Sequence, residues 1–190
     1  MPSIADENKV TQAVNRTSRE YDEQTAICRE LFVKKAEDYG TAWRIMRPSS
    51  VTDQIFIKAN RIRSIQEKGE ALIDEGVRSE LIGIVNYAAM ALIQCEMGYA
   101  DTADIPASKA IEMYDAQVKR AKDLMANKNH DYDEAWRHMR VSSITDIILM
   151  KLFRTKEIED HNGATIVSEG VEANYLDMIN YAVFALVLTK

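Results

Sequence analysis

The chain contains the same stretch twice, so whatever it folds into must be built from two copies of one unit. From Asp38 to Arg63 against Asp131 to Lys156, 14 of 26 positions are identical without a gap, and both copies carry Asp-Tyr-x-x-Ala-Trp-Arg-x-Met-Arg. The match extends upstream, where Tyr21-Asp22-Glu23-Gln24 faces Tyr114-Asp115-Ala116-Gln117. Downstream, the stretch from Asn86 to Leu92 faces that from Asn180 to Leu186. A unit of this length is a helical subdomain rather than one repeat of a common helical solenoid. With 190 residues and 46% hydrophobic content, two such units can share one core. The expectation is a single compact domain of repeat 1 (about 17–98) and repeat 2 (about 107–190), with 99–106 as linker, where Asp101, Thr102, Asp104 and Pro106 cluster.

Seven Gly and three Pro leave little for β-turns, while good helix formers dominate. The expected fold class is therefore all-α: a helical bundle of two tandem three-helix repeats related by a pseudo-twofold axis. Residues 1 to about 16 are polar and aperiodic, and read as a loose arm or an extra first turn. The first helix of each repeat is predicted over about 18–37 and 107–129, followed by a turn and a short helix carrying Trp43 or Trp136. The second helix is predicted to start at Ser50 with Asp53 three residues on, and at Ser143 with Asp146, as serine N-caps. Gly69 and Asn162-Gly163 mark their ends. The third helices, about 77–97 and 171 to the C-terminus, are apolar nearly all round in their second halves, which places them as the central pair.

A net charge of −6 argues against a nucleic-acid polymer as partner, yet the repeated blocks are locally basic. The polar positions that survive in both copies are few. They are Asp38, Tyr39, Trp43, Arg44, Arg47, Asp53, Lys58, Arg61, Asn86 and Tyr87, answered by Asp131, Tyr132, Trp136, Arg137, Arg140, Asp146, Lys151, Arg154, Asn180 and Tyr181. Asp53, Lys58 and Arg61 fall at about 0°, 140° and 80° around a helix, one polar arc that could line a cleft. Guanidinium forks suit phosphate, and Trp43 or Tyr39 could stack on a base. The competing reading is that the charges tie the Trp-bearing turn to the second helix through buried ion pairs, with the indoles in the core. Asn86 and Asn180 sit inside apolar helices, so each either pins a helix crossing or faces a polar site.

The copies also diverge together on the third helix: Arg78 becomes Glu172, Glu80 becomes Asn174 and Gly83 becomes Asp177. Glu169, Asp177 and Asn180 fall within about 80° of arc, so a hard cation held by Glu169, Glu172 and Asp177 is conceivable, though Glu169 and Asp177 lie two turns apart. The histidines have no counterparts between copies, and Cys28 and Cys95 are not equivalent positions, so both thiols read as buried and reduced. No glycine-rich phosphate loop is present. The longest apolar run, Tyr181 to Leu188, is short of the roughly 18 residues that span a bilayer, so a cytoplasmic protein without membrane contact is expected.

The blocks Asp-Tyr-Gly-x-Ala-Trp, Ser-x-Thr-Asp-x-Ile-x-x-Lys-x-x-Arg and Asn-Tyr-Ala, in that order, resemble the nucleotide modification associated domain 1 family, over about 21–92 and 114–186. That resemblance implies a nucleotide context. The Asp-x-x-Asn-Tyr helix is also similar to the acidic helix of the all-α MazG-like nucleoside triphosphate pyrophosphohydrolases, which implies Mg²⁺ held by carboxylates on adjacent helices. Asp177 fits that acid; Gly83 does not, and no Glu-Glu-x-x-Glu run occurs. The sequence thus suggests a nucleotide or other phosphorylated small molecule bound between second and third helices, with Mg²⁺-dependent hydrolysis as a possible activity. The alternative is a non-catalytic helical scaffold. Homodimerisation suits a bundle of this size but is not fixed by the sequence.

Overall fold

The computed structural model describes residues 4–69, 76–166 and 169–190, with side-chain surroundings from Arg16 onward. The described residues form six α-helices and no strand: α1 (Ile4–Tyr39), α2 (Pro48–Lys68), α3 (Val77–Met97), α4 (Ala107–Tyr132), α5 (Val141–Asp160) and α6 (Val171–Leu188). A four-residue 3-10 turn follows α1 (Ala42–Ile45) and another follows α4 (Ala135–His138).

The two helices that are apolar all round make the most extensive contact in the molecule, α3 against α6. Leu81, Ile84, Val85, Leu92 and Ile93 of α3 are fully or almost fully buried, as are Met178, Ile179, Val183 and Leu186 of α6. Ala88, Ala89 and Ala91 on α3, with Ala182 and Ala185 on α6, let backbones approach closely. Around this pair α2 packs on α3 as α5 packs on α6, α2 meets α5, and α1 meets α4. By length and hydropathy α6 could cross a membrane, but 67% of it is buried inside the bundle, where its apolar faces serve as core.

The pseudo-twofold relation is visible in hydrogen bonds that come in exchanged pairs. Tyr21 of α1 donates to Asn180 Oδ1 of α6 at 2.8 Å, and Tyr114 of α4 donates to Asn86 Oδ1 of α3 at 2.7 Å. Asn86 Nδ2 in turn donates to the Cys28 carbonyl and Asn180 Nδ2 to the Ala121 carbonyl, at 3.1 and 3.0 Å. Each buried amide therefore binds the first helix of both repeats, which satisfies a group that would be costly in an apolar core. On the outer side Asp53 pairs with Lys156 at 2.6 Å and Asp146 with Arg63 at 3.9 Å, again across the repeats.

Three sequence expectations change. The polar leader is not a loose arm: α1 already begins at Ile4, while residues 1–3 lie outside the described residues. Helix α2 starts at Pro48 with Arg47 as N-cap, not at Ser50, because proline favours an extended predecessor and is pre-set for the first helical position. By the same register α5 is capped by Arg140, not Ser143. Gly69 ends α2 with φ +72°, as expected of a glycine cap.

Candidate functional site

Each repeat carries a groove between the end of its first helix, the 3-10 turn and its core helix, and the two grooves are lined by equivalent residues. The first, about 370 Å³, is bounded by Lys35, Tyr39, Trp43, Lys58, Asn86 and Tyr87, among others. The second, about 330 Å³, is bounded by Lys128, Tyr132, Trp136, Lys151, Asn180 and Tyr181 at the corresponding positions. Both lie at the lower end of the volumes typical of small-molecule sites. Lys35 and Lys128 were missing from the sequence-derived set although they are identical under the same offset. They lie just upstream of the conspicuous block, and comparing the full first helices would have found them.

Several retained charges do not face a groove. Arg44 is 1% exposed. It grips Asp104 of the linker with Nε at 2.8 Å and Nη2 at 3.2 Å, and its Nη1 donates to the Gly98 carbonyl at 2.7 Å and to the Gln94 side chain. The hydrogen bond from Arg44 holds the Asp104 carboxyl below its ordinary range. Arg44 thus ties the Trp43 turn both to the end of α3 and to the far part of the linker and is committed to structure, contrary to the phosphate-binding expectation. Arg137 is committed likewise, to Glu20 at 2.7 Å, to Glu134 at 2.9 Å and to the Thr17 hydroxyl at 2.6 Å. Asp53 and Asp146 serve the cross-repeat pairs described above. Arg61 pairs with Glu80 beside the first groove, while Arg154 lines a different depression of about 760 Å³, more open to solvent, with Phe153 and Ile166. Asp38, Arg47, Asp131 and Arg140 are exposed and do not line the grooves, although each directly adjoins a lining residue in the chain.

The indoles differ. Trp136 is buried, stacked on Phe184 at 4.2 Å and 3°, and its other partner is the Arg137 guanidinium at 4.4 Å from the ring centre. No base can insert into that sandwich, so core packing wins for this indole. Trp43 is half-buried and touches Phe32 only in a tilted arrangement at 6.4 Å, because Met90 stands where Phe184 stands in the other repeat. Its ring lines the first groove together with exposed Tyr39.

The acids differ more. In the second groove Asp177 lies between two ammonium groups, with Lys128 Nζ at 2.6 Å from Oδ1 and Lys151 Nζ at 2.7 Å from Oδ2. Burial alone would raise its carboxyl, but the hydrogen bonds from Lys128 and Lys151 overcome that and hold it below the usual range. In the first groove the equivalent position is Gly83, and the Lys58 chain lies across it: a Cβ there would meet Lys58 Cδ and Cε at 2.6 Å. The acid of this repeat sits one turn earlier, at Glu80, where it pairs with Arg61 and reaches Lys58 only at 3.4 Å. Lys35 makes no ion pair among the described residues.

The expected metal ligands are not brought together. Glu172 pairs with Arg120 at 3.2 Å and shares a separate depression with exposed Glu169, while both oxygens of Asp177 are taken by lysines. Among the described residues no three His, Cys, Asp or Glu side chains converge as a metal site would require. Cys28 is fully buried, its thiol pushed up to about 12 by burial, while Cys95 is only partly buried, its thiol raised to about 11 for the same reason.

Compared with known families, residues 35–95 and 128–188 each match the model of nucleotide modification associated domain 1. The chain belongs to that family. Both matched segments open on a groove lysine, Lys35 or Lys128, and close near the end of a core helix, so in this family member the matched unit contains most of the groove lining, with Leu31, Phe32 and Met125 just upstream of it. No curated protein and no solved structure matches the chain.

Proposed function

We propose that the groove of the first repeat binds a nucleotide or a similarly phosphorylated small molecule, with phosphate on Lys35 and Lys58 and a base against Trp43 and Tyr39. The observation that carries this reading is Lys35 and Lys58 in one aromatic-lined groove, the first without an ion pair among the described residues and the second with only a long one. Anion binding there gains charge-assisted hydrogen bonds without breaking an existing strong pair. Membership in a family associated with nucleotide modification supports the choice of ligand class. Because the acids are dispersed or paired, the reading is binding without metal-assisted hydrolysis. Calorimetric titration of nucleoside mono- and triphosphates, with and without Mg²⁺, tests it. Saturable binding that weakens in Lys58→Ala and does not require Mg²⁺ is expected; absence of binding by the wild type overturns it.

The scaffold reading accounts for a different set of residues. Arg44 with Asp104, Arg137 with Glu20 and Glu134, and Asp53 with Lys156 hold turns and repeats together. Retained charge in this chain thus divides into a framework set and a groove set.

A further inference from the structure

The second groove keeps the two lysines of the first but carries a carboxylate between them. We propose that Asp177 is a built-in anion, occupying in the second repeat the place that the first repeat leaves to the phosphate of a ligand, so that the protein has one anion site in two like grooves. This inference rests on reading the first groove as an anion site and adds what decides which groove is open.

The two oxygens of Asp177 accept from Lys128 and Lys151 at 2.6 and 2.7 Å, the bidentate arrangement that two phosphate oxygens would adopt with the same cations. The Asp177 side chain is 9% exposed, so the carboxylate and Lys151 are largely shielded from water while Lys128 is about half exposed. An incoming phosphate would have to displace this carboxylate and leave it buried without a partner, a cost that the first groove does not impose. In the first groove Gly83 removes both the carboxylate and the side-chain bulk, and Lys58 lies in the space thus left. Glu80 cannot substitute for Asp177. It lies a helical turn earlier and pairs with Arg61, outside the residues that bound the groove. The change from Gly83 to Asp177 between otherwise matching linings is therefore a specificity-determining difference, not drift on a surface.

The two positions can be exchanged. Gly83→Asp should close the first groove: the atoms its Cβ would meet belong to the flexible end of Lys58, which can shift and pair with the new carboxylate. Asp177→Gly should open the second. Asp177→Asn serves as a companion variant that keeps the side-chain volume and removes only the charge. Binding of adenosine 5′-monophosphate and of inorganic phosphate to each full-length variant is measured by calorimetry, with melting curves confirming that each is folded. Wild type is expected to bind one equivalent. Gly83→Asp should weaken binding at least tenfold, and Asp177→Gly should bind a second equivalent, with Asp177→Asn gaining at least weak second-site binding. If wild type binds two equivalents, or if folded Asp177→Gly and Asp177→Asn still bind only one, the inference is overturned while the proposed function stands. If wild type binds neither probe but Asp177→Gly binds one equivalent, Asp177 does block the second groove but the first is no anion site, and the proposed function and the one-site inference fall together. If none binds, both fall.

Discussion

The first and second grooves are built from the same residues at the same places, yet in one the cations are left available and in the other they are spent. The lesson concerns where a single carboxylate sits along a helix. Glu80, a turn before Gly83, neutralises Arg61 and leaves the groove lysines nearly unpaired; Asp177, at the position of Gly83, sits between Lys128 and Lys151. Duplication preserved the container and altered its contents.

The largest expected effect separates framework from groove. Arg44→Ala removes a guanidinium that is 1% exposed and leaves Gln94 Oε1 and the Gly98 carbonyl without their partner, so it should cost about 3 kcal/mol. For a chain of this size that is about 6–12 °C in melting temperature by calorimetry. The network of Arg137, less deeply buried than Arg44, should lose less on Arg137→Ala, about 1–2 kcal/mol. Neither variant should change nucleotide affinity by more than a small factor while the protein is folded. A large loss of affinity with unchanged stability would return these arginines to the site.

Next in size are the groove lysines, which should behave oppositely in the two repeats. Lys58→Ala should weaken phosphate-ligand binding by about tenfold to a hundredfold, the worth of a charge-assisted hydrogen bond, with little change in melting. Lys151→Ala should leave affinity unchanged and lower the melting temperature, because Asp177 then keeps only Lys128. Equal effects on affinity would break the contrast between the grooves.

Acid should act on the second repeat through Asp177. Its folded pKa lies below the ordinary value, so the pair contributes stability above about pH 4, and that contribution is lost as the pH falls through the lowered folded value. The gap in melting temperature between wild type and Asp177→Asn should accordingly be constant from pH 5 to 7 and close below pH 4. The smallest effect concerns Glu159. Burial raises its carboxyl despite hydrogen bonds from Thr52 and Tyr175, whereas the equivalent residue in the first repeat, Gln66, bonds Thr145 as a neutral amide at 3.1 Å. A raised carboxyl destabilises the fold increasingly as the pH rises above its unfolded value, so Glu159→Gln should stabilise the protein at pH 7 by less than about 1 kcal/mol, and the gain should vanish in acid.

The architecture was legible because it rests on periodicity and repetition. Helices apolar all round had to be central, and α3 and α6 are; glycine at 69 marked a helix end correctly. The start of α2 was not legible from a serine followed by an acid, since Pro48 two residues earlier is the stronger signal. The duplication also singled out the right pool of polar residues but could not sort it. Identity under duplication is equally compatible with a ligand contact and with an ion pair, and only burial tells Arg44 from Lys58. The asparagines show the same limit, because each bonds two first helices from opposite repeats, a relation that no spacing within one repeat reveals. Asp177 was recognised as the divergent acid, but its two lysine partners were not, one of them on a helix more than forty residues away in the chain.

Each groove holds one tryptophan, so each can be read separately. Trp136→Phe removes an indole whose N–H has no partner among the described residues and leaves Trp43 as sole reporter of the first groove; Trp43→Phe leaves Trp136 to report the second. Titration of these two variants with adenosine 5′-monophosphate should give a saturable change in Trp43 emission and none in Trp136 emission. A saturable response from Trp136, with Trp43 silent, would contradict the assignment of the first groove as the open one.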